Sequence, residues 1–207
     1  TGAVALNTNG SSGNATIKDK AGALQLAASS VGGALIATAT TEDITQNGIL
    51  TITGAAKFIT ETTNKKIILG ESNAFGSHVT MQAGDGDNAT FDDITFVDSA
   101  AVNLHTAAAS NGDLFIDAGT NLDVDGALII TATTGNITQG SELTVGTTST
   151  FTTSASDGTI TLNDADNTFT GAVALNTNGS SGNATIKDKA GALQLAASSV
   201  GGALIAT

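Results

Sequence analysis

Cysteine is missing from all 207 residues, so the chain has no disulfide framework and no thiolate ligand or nucleophile. Proline is missing as well. That suits a structure whose strands are nearly all internal, because an internal strand donates to its neighbours and proline cannot. Arginine, tryptophan and tyrosine do not occur, and seven phenylalanines are the whole aromatic complement. No stacking platform for bases or sugars is expected from so few rings. Positive charge is scarce: Thr1–Phe169 carries 5 Lys against 18 Asp and Glu, a balance of −13. Such a surface repels nucleic acid and anionic membranes, keeps the chain soluble and attracts divalent cations loosely. No apolar run approaches the roughly 20 residues of a membrane-spanning helix, and no signal peptide is visible. Sustained i, i+3, i+4 apolar spacing is absent too, which argues against helices.

What is present is repetition. Thr1–Thr38 returns without a change as Thr170–Thr207. Identity that includes solvent-facing positions points to recent tandem duplication within a longer array, read here as one complete unit, 1–169, and the start of the next, 170–207. A weaker repeat lies inside the first. Ile44–Phe58 (ITQNGILTITGAAKF) matches Ile137–Phe151 (ITQGSELTVGTTSTF) at an offset of 93, so sub-repeats begin near residues 44 and 137. The two halves differ mainly by an insertion around Ile94–Val102 and Asn121–Gly126.

Between turn dipeptides such as Asn9-Gly10, Asn47-Gly48, Asn111-Gly112 and Asp157-Gly158 run short period-2 segments. Their apolar pairs include Leu24/Leu26, Leu50/Ile52, Ile67/Leu69, Val79/Met81, Val102/Leu104, Leu128/Ile130 and Ile160/Leu162. Strands this short and regular fit an antiparallel sandwich or barrel, or a parallel β-helix in which coils of about 20–23 residues stack. Tandem duplication favours the coil, because a β-solenoid extends without limit and a closed barrel does not. The step from Val79/Met81 to Val102/Leu104 reads as one coil. Eight coils of about 21 residues account for the unit, and advance the rod by about 40 Å at strand spacing. The expected class is therefore all-β, a parallel β-helix.

The motif string I-T-Q-x-G-x-L-T-x-x-G resembles the filamentous-haemagglutinin-like exoproteins exported by two-partner secretion. Its residues are Ile44, Thr45, Gln46, Gly48, Leu50 and Gly54, followed by Ile160, Thr161 and Leu162, then Asn167, Phe169, Gly171, Val173 and Leu175. The resemblance implies a right-handed β-helix and a secreted or surface-anchored fibre with roles in adhesion, cell contact or biofilm. It also implies partners in neighbouring identical repeats, and a cell-surface or glycan receptor reached through domains outside this stretch.

Candidate sites are few. Asp85, Asp87, Asp92 and Asp93 in GDGDNATFDD place oxygen ligands at alternate positions of a Gly-rich turn, as loosely bound Ca²⁺ requires. They lack the Glu that closes an EF-hand, and the matching turn 9–14 has no acid, so a solvated turn is the plainer reading. Asp117, Asp123 and Asp125 read the same way. His78 and His105 alternate with inward apolar residues and should face outward. Strand alignment sets His78 over Ala101 and His105 over Gln82. Thr-x-Thr pairs at Thr38–Thr40, Thr51–Thr53 and Thr131–Thr133 evoke ranks that bind ice, but Thr is also simply a good strand residue. Asn73 and Asn167 precede Phe75 and Phe169 at matching turns, where an inward Asn bonds the backbone of a tight bend. The phenylalanines Phe58, Phe75, Phe91, Phe96, Phe115, Phe151 and Phe169 read as core. No catalytic residue and no cofactor is expected. The expected function is a non-enzymatic structural segment of an extracellular fibrous protein, with a side surface for glycans or ice as the alternative.

Overall fold

The computed structural model describes residues 2–83, 91–100, 102–105, 113–117, 122–189 and 191–207, the side chains of 83, 103, 105, 113–117, 122 and 123 aside. Every strand ladder in it is parallel, and no helix occurs among the described residues. The chain is a β-solenoid, as its alternating segments and tandem repetition lead one to expect.

After β1 (Ala15–Asp19) the chain winds through three walls per coil. The first regular coil is β2 (Leu24–Leu26), β3 (Ser29–Val31) and β4 (Leu35–Ala39). The next is β5 (Ile44–Gln46), β6 (Leu50–Ile52) and β7 (Ala56–Thr60). Then β8 (Lys65–Phe75) bends through a corner and covers two walls itself, pairing with both β5 and β6, before β9 (Val79–Ala83). The first wall is thus β2, β5 and the start of β8; the second is β1, β4, β7 and β9; β3, β6 and the end of β8 make the third, between them.

The coil then changes. β10 (Phe91–Asp98) continues the first wall, and β11 (Val102–His105) the second. β12 (Asp113–Asp117) returns to the second wall and slots between β9 and β11. Beyond it β13 (Leu122–Val124), β16 (Leu143–Val145) and β19 (Thr168–Phe169) build a new third wall on the other side, after the second wall and before the first. The first wall runs on through β14 (Leu128–Ala132), β17 (Ser149–Ser156) and β20 (Val173–Asn178). The second runs through β15 (Ile137–Gln139), β18 (Ile160–Leu162), β21 (Ala184–Ile186) and β22 (Leu204–Ala206).

Two expectations change here. Val79/Met81 stack on Leu114/Ile116, not on Val102/Leu104, so Gln82 lies opposite Asp117 and His105 opposite Phe115. The cause is β12, an extra strand whose apolar alternation competes successfully for the edge of β9. The number of coils is also lower. The first wall is crossed at Val4, Leu24, Ile44, Ile67, Ile94, Leu128, Ser149 and Val173, which makes seven turns per repeat unit rather than eight. The turns are not equal: the one from Ile94 to Leu128 is far longer than that from Leu24 to Ile44 or from Ser149 to Val173. Seven strand spacings advance the rod by about 34 Å per repeat.

Inward side chains fill the rod. Leu24, Ile44, Ile67, Ile94, Leu128 and Val173 rise through the first wall with no solvent exposure to speak of. Six of the phenylalanines, Phe58, Phe75, Phe91, Phe96, Phe151 and Phe169, are core as expected; the side chain of Phe115 lies outside the described residues. Phe75 packs edge-on to Phe58 at 6.1 Å and stacks on Phe96 at 5.5 Å, and Phe151 meets Phe169 edge-on at 6.3 Å. One turn needs glycine twice over. Gly10 sits at φ +75°, and a Cβ on Gly32 in the coil above would lie 2.3 Å from the Gly10 carbonyl oxygen.

Candidate functional site

Among the described residues the most organised polar groups are at the corners of the rod, and they bind the rod itself. Asn73 and Asn167 are fully buried. The Oδ1 of Asn73 accepts the Leu50 N–H at 2.9 Å and the Gln46 Nε2 at 2.6 Å, while its Nδ2 donates to Gln46 Oε1 at 3.1 Å and to Val97 O at 3.2 Å. Asn167 repeats this with Leu143 N–H at 2.9 Å and with Gln139, which exchanges both amide bonds with it. A buried amide in hydrocarbon is costly unless every donor and acceptor is met, and this reciprocal clamp meets them. The inward Asn is legible from its turn; Gln46 stands in the motif string, but nothing in the sequence pairs it with Asn73, although Gln46 and Gln139 recur with the two Asn in both half-repeats.

A carboxylate completes each corner. The Phe75 N–H donates to Asp98 Oδ1 at 3.4 Å, and the Phe169 N–H to Asp188 Oδ1 at 3.2 Å. Asp98 is 1% exposed, and burial raises its pKa above the ordinary carboxylate value, against the pull of the N–H groups of Phe75, Ala100 and Ser99. Beside it, where the lower third wall ends, lies an open depression of about 230 Å³ floored by Ile52, Ala74 and Phe75 and edged by Ser99. The described residues of its lining carry no titratable side chain.

The aspartates read as a metal turn are only partly described. Asp85 and Asp87 lie outside the described residues. Asp93 accepts the Ala127 N–H at 2.8 Å and pairs with Lys66, and Asp92 lies 3.3 Å from the same ammonium. The Ala127 N–H, then Lys66, holds the Asp93 carboxyl below its usual range, and Asp93, then Asp92, raises Lys66. These two acids therefore tie neighbouring coils together. Among the described residues no three His, Asp or Glu side chains are grouped to hold a metal ion. Asp125 is an exposed corner residue, and the side chains of Asp117 and Asp123 lie outside the description, as does that of His105. His78 is half-buried just before β9, with Nδ1 3.5 Å from Ser77 Oγ.

The Thr-x-Thr pairs do not share a surface. Thr38 is on the second wall and buried, Thr51 on the third and Thr131 on the first. Single threonines do stack, Thr138 on Thr161 on Thr185 up the second wall, a rank that no Thr-x-Thr pattern reveals.

A model of repeats of unknown function, the DUF5649 family, matches residues 12–82 and 111–176, more than half of the chain. The gap between the two matches overlaps the long coil that holds β12. No curated protein and no solved structure matches the chain.

Proposed function

Since the chain belongs to the DUF5649 family of repeats, we propose that it is a length-setting structural segment of a large secreted or cell-surface fibre of the filamentous-haemagglutinin-like kind. One observation carries the reading. The two identical copies, 1–38 and 170–207, occupy the same walls seven turns apart: Val4 and Val173 on the first, Ala15 and Ala184 on the second. A unit that closes on whole turns can be repeated indefinitely, each copy entering on the wall where the last one entered. The buried amides of Asn73 and Asn167 are spent on corner bonds between coils. Adhesion, cell contact or biofilm structure would then belong to whatever such a rod presents at its end, and the acidic sides would keep neighbouring rods apart.

Electron microscopy of chains carrying two, three and four repeats tests the rod. Each added copy is expected to lengthen it by about 34 Å at constant width, and thickening instead of lengthening would sink the reading. Protease treatment of intact source cells tests the location. Loss of the repeats from the surface supports an extracellular fibre, and full protection retires it.

A further inference from the structure

At one corner of the rod a side-chain amide is held against the backbone nitrogen that follows it. Asn178 ends β20 and is followed by Gly179, and both are exposed. Coils lie on either side of this level. From below, Asp157 N–H donates to Asn178 O at 3.0 Å; from above, Gly201 N–H donates to Thr177 Oγ1 at 3.0 Å. The geometry of the corner therefore does not depend on where the chain begins or ends. The Asn178 carboxamide is tied at both atoms. Its Nδ2 donates to Ser154 O at 3.1 Å in the coil below, and its Oδ1 accepts the Gly179 N–H at 2.9 Å. Because Oδ1 is bonded to Cγ, the Gly179 nitrogen lies beside the carbon of an amide that is kept from swinging away. Only glycine fits there: Gly179 has φ +82°, and a Cβ on it would collide with the Asp157 carboxylate.

We propose that Asn178-Gly179 is a site of self-modification, where the asparagine converts through a succinimide to aspartate or isoaspartate and unfastens one coil from the next. The Gly179 amide gives its proton to hydroxide, and its nitrogen attacks Asn178 Cγ. A new N–Cγ bond closes the imide ring, the Cγ–Nδ2 bond breaks, and ammonia leaves with a proton from water. Water then adds to one imide carbonyl and reopens the ring, with no oxidation or reduction. Holding the reacting groups together is what favours such a step. The product no longer donates to Ser154 O, and a new carboxylate stands on the corner where Asp157 already accepts the Ser181 N–H at 2.8 Å. Asn47-Gly48 has the same dipeptide in another setting. There Gly48 O accepts Gln46 Nε2 at 2.8 Å, Asn47 N–H donates to Leu26 O at 2.9 Å, and a Cβ on Gly48 would meet the Ala28 backbone. The Gln46 clamp fixes that turn, and among the described residues no bond brings the Asn47 side chain to the Gly48 N–H. The inference goes beyond the fibre reading, since it concerns the chemistry of one corner wherever the rod is found.

The full chain is kept in warm, mildly alkaline buffer, with and without urea, then cleaved before aspartate and weighed by mass spectrometry. Fragments Asp166–Lys187 and Asp43–Gly84 report the two sites, and the first differs in mass from the fragment that carries Asn9. In the folded chain Asn178 should exchange NH for O, with release of ammonia, at least about tenfold faster than Asn47. The aspartate form adds a cleavage point at position 178 and counts as conversion. In urea, where neither amide is held, the two rates should be equal. Equal rates in the fold, protection of Asn178, or a difference that persists in urea overturns the proposal. Asn178→Asp reads the consequence without the reaction. Its urea midpoint should fall below the parent's, and fall less when Asp157→Asn is added; an unchanged midpoint overturns the unfastening.

Discussion

The two copies of the duplicated stretch have the same residues and opposite surroundings. Leu26 is 0% exposed and its counterpart Leu195 43%; Leu35 is 1% exposed and Leu204 42%. Their local bonds nevertheless coincide. Leu6 N–H donates to Ser29 Oγ at 3.0 Å, and Leu175 N–H to Ser198 Oγ at the same distance. Ala34 N–H reaches Asn14 Oδ1 at 2.8 Å, and Ala203 N–H reaches Asn183 Oδ1 at 2.7 Å. Sequence sets the bend of each coil, whereas burial comes from the coil above or below. A residue's contribution to stability in such a rod therefore depends on its level as much as on its identity.

Mutation can break that statement. In the 207-residue chain taken alone, Leu26→Ala should cost about 3 kcal/mol in urea unfolding and Leu195→Ala less than about 0.5, because only the first leaves a cavity; equal losses would contradict a dependence on burial. Next come the clamps. Asn73→Ala and Asn167→Ala should each cost about 2 kcal/mol by orphaning the N–H of Leu50 or Leu143. A much smaller loss at Asn167, read by the same assay, would show that the two clamps do not hold their corners equally. Adding Gln46→Ala to Asn73→Ala should cost little more, since the two amides act as one unit.

A finer comparison uses one aspartate in two settings. Asp188 caps Phe169, and in this chain its counterpart Asp19 accepts the Ala21 N–H. Asp188→Ala should cost about 1 kcal/mol and Asp19→Ala about a third of that, measured as a difference in urea midpoint. The smallest effects concern two carboxylates outside both copies. Asp98 has its pKa raised above 3.8 in the fold, so its contribution is full in acid and is lost as pH rises through the raised value. Asp98→Asn should therefore be more stable than the parent at neutral pH, with the advantage shrinking toward pH 3.8. Asp93, with its pKa lowered, behaves oppositely: Asp93→Asn should be less stable at neutral pH, and the deficit should vanish as pH falls through the lowered value. Thermal melts across pH separate the two, and parallel curves would contradict both.

Alternation made the strands legible. Leu24/Leu26, Leu50/Ile52 and Leu128/Ile130 each sit inside a strand with both members buried. β4 and β7 were harder to read, because Ala37, Ala39 and Ala56 fill inward positions without a hydrophobic signature. What period 2 cannot carry is the neighbour. It tells which side of a strand faces in, and every inward pair fits every other equally well. Hence β12 could displace β11 from β9, against the step read from Val79 to Val102. Hence also the matched motifs Ile44–Gln46 and Ile137–Gln139 lie on different walls, the first and the second. At the corners the Asn was readable from turn chemistry alone, but its Gln lies 27 residues away, a distance that only the winding closes.

Closure on seven whole turns also bears on how such a gene changes. Unequal crossing-over between the identical stretches Thr1–Thr38 and Thr170–Thr207 removes or inserts one whole unit at a time. Each product resumes on the wall where the parent left off, so no seam forms, no kink is introduced and no new side chain is exposed along the junction. Size variation then comes in whole quanta that the fold accepts without any compensating substitution.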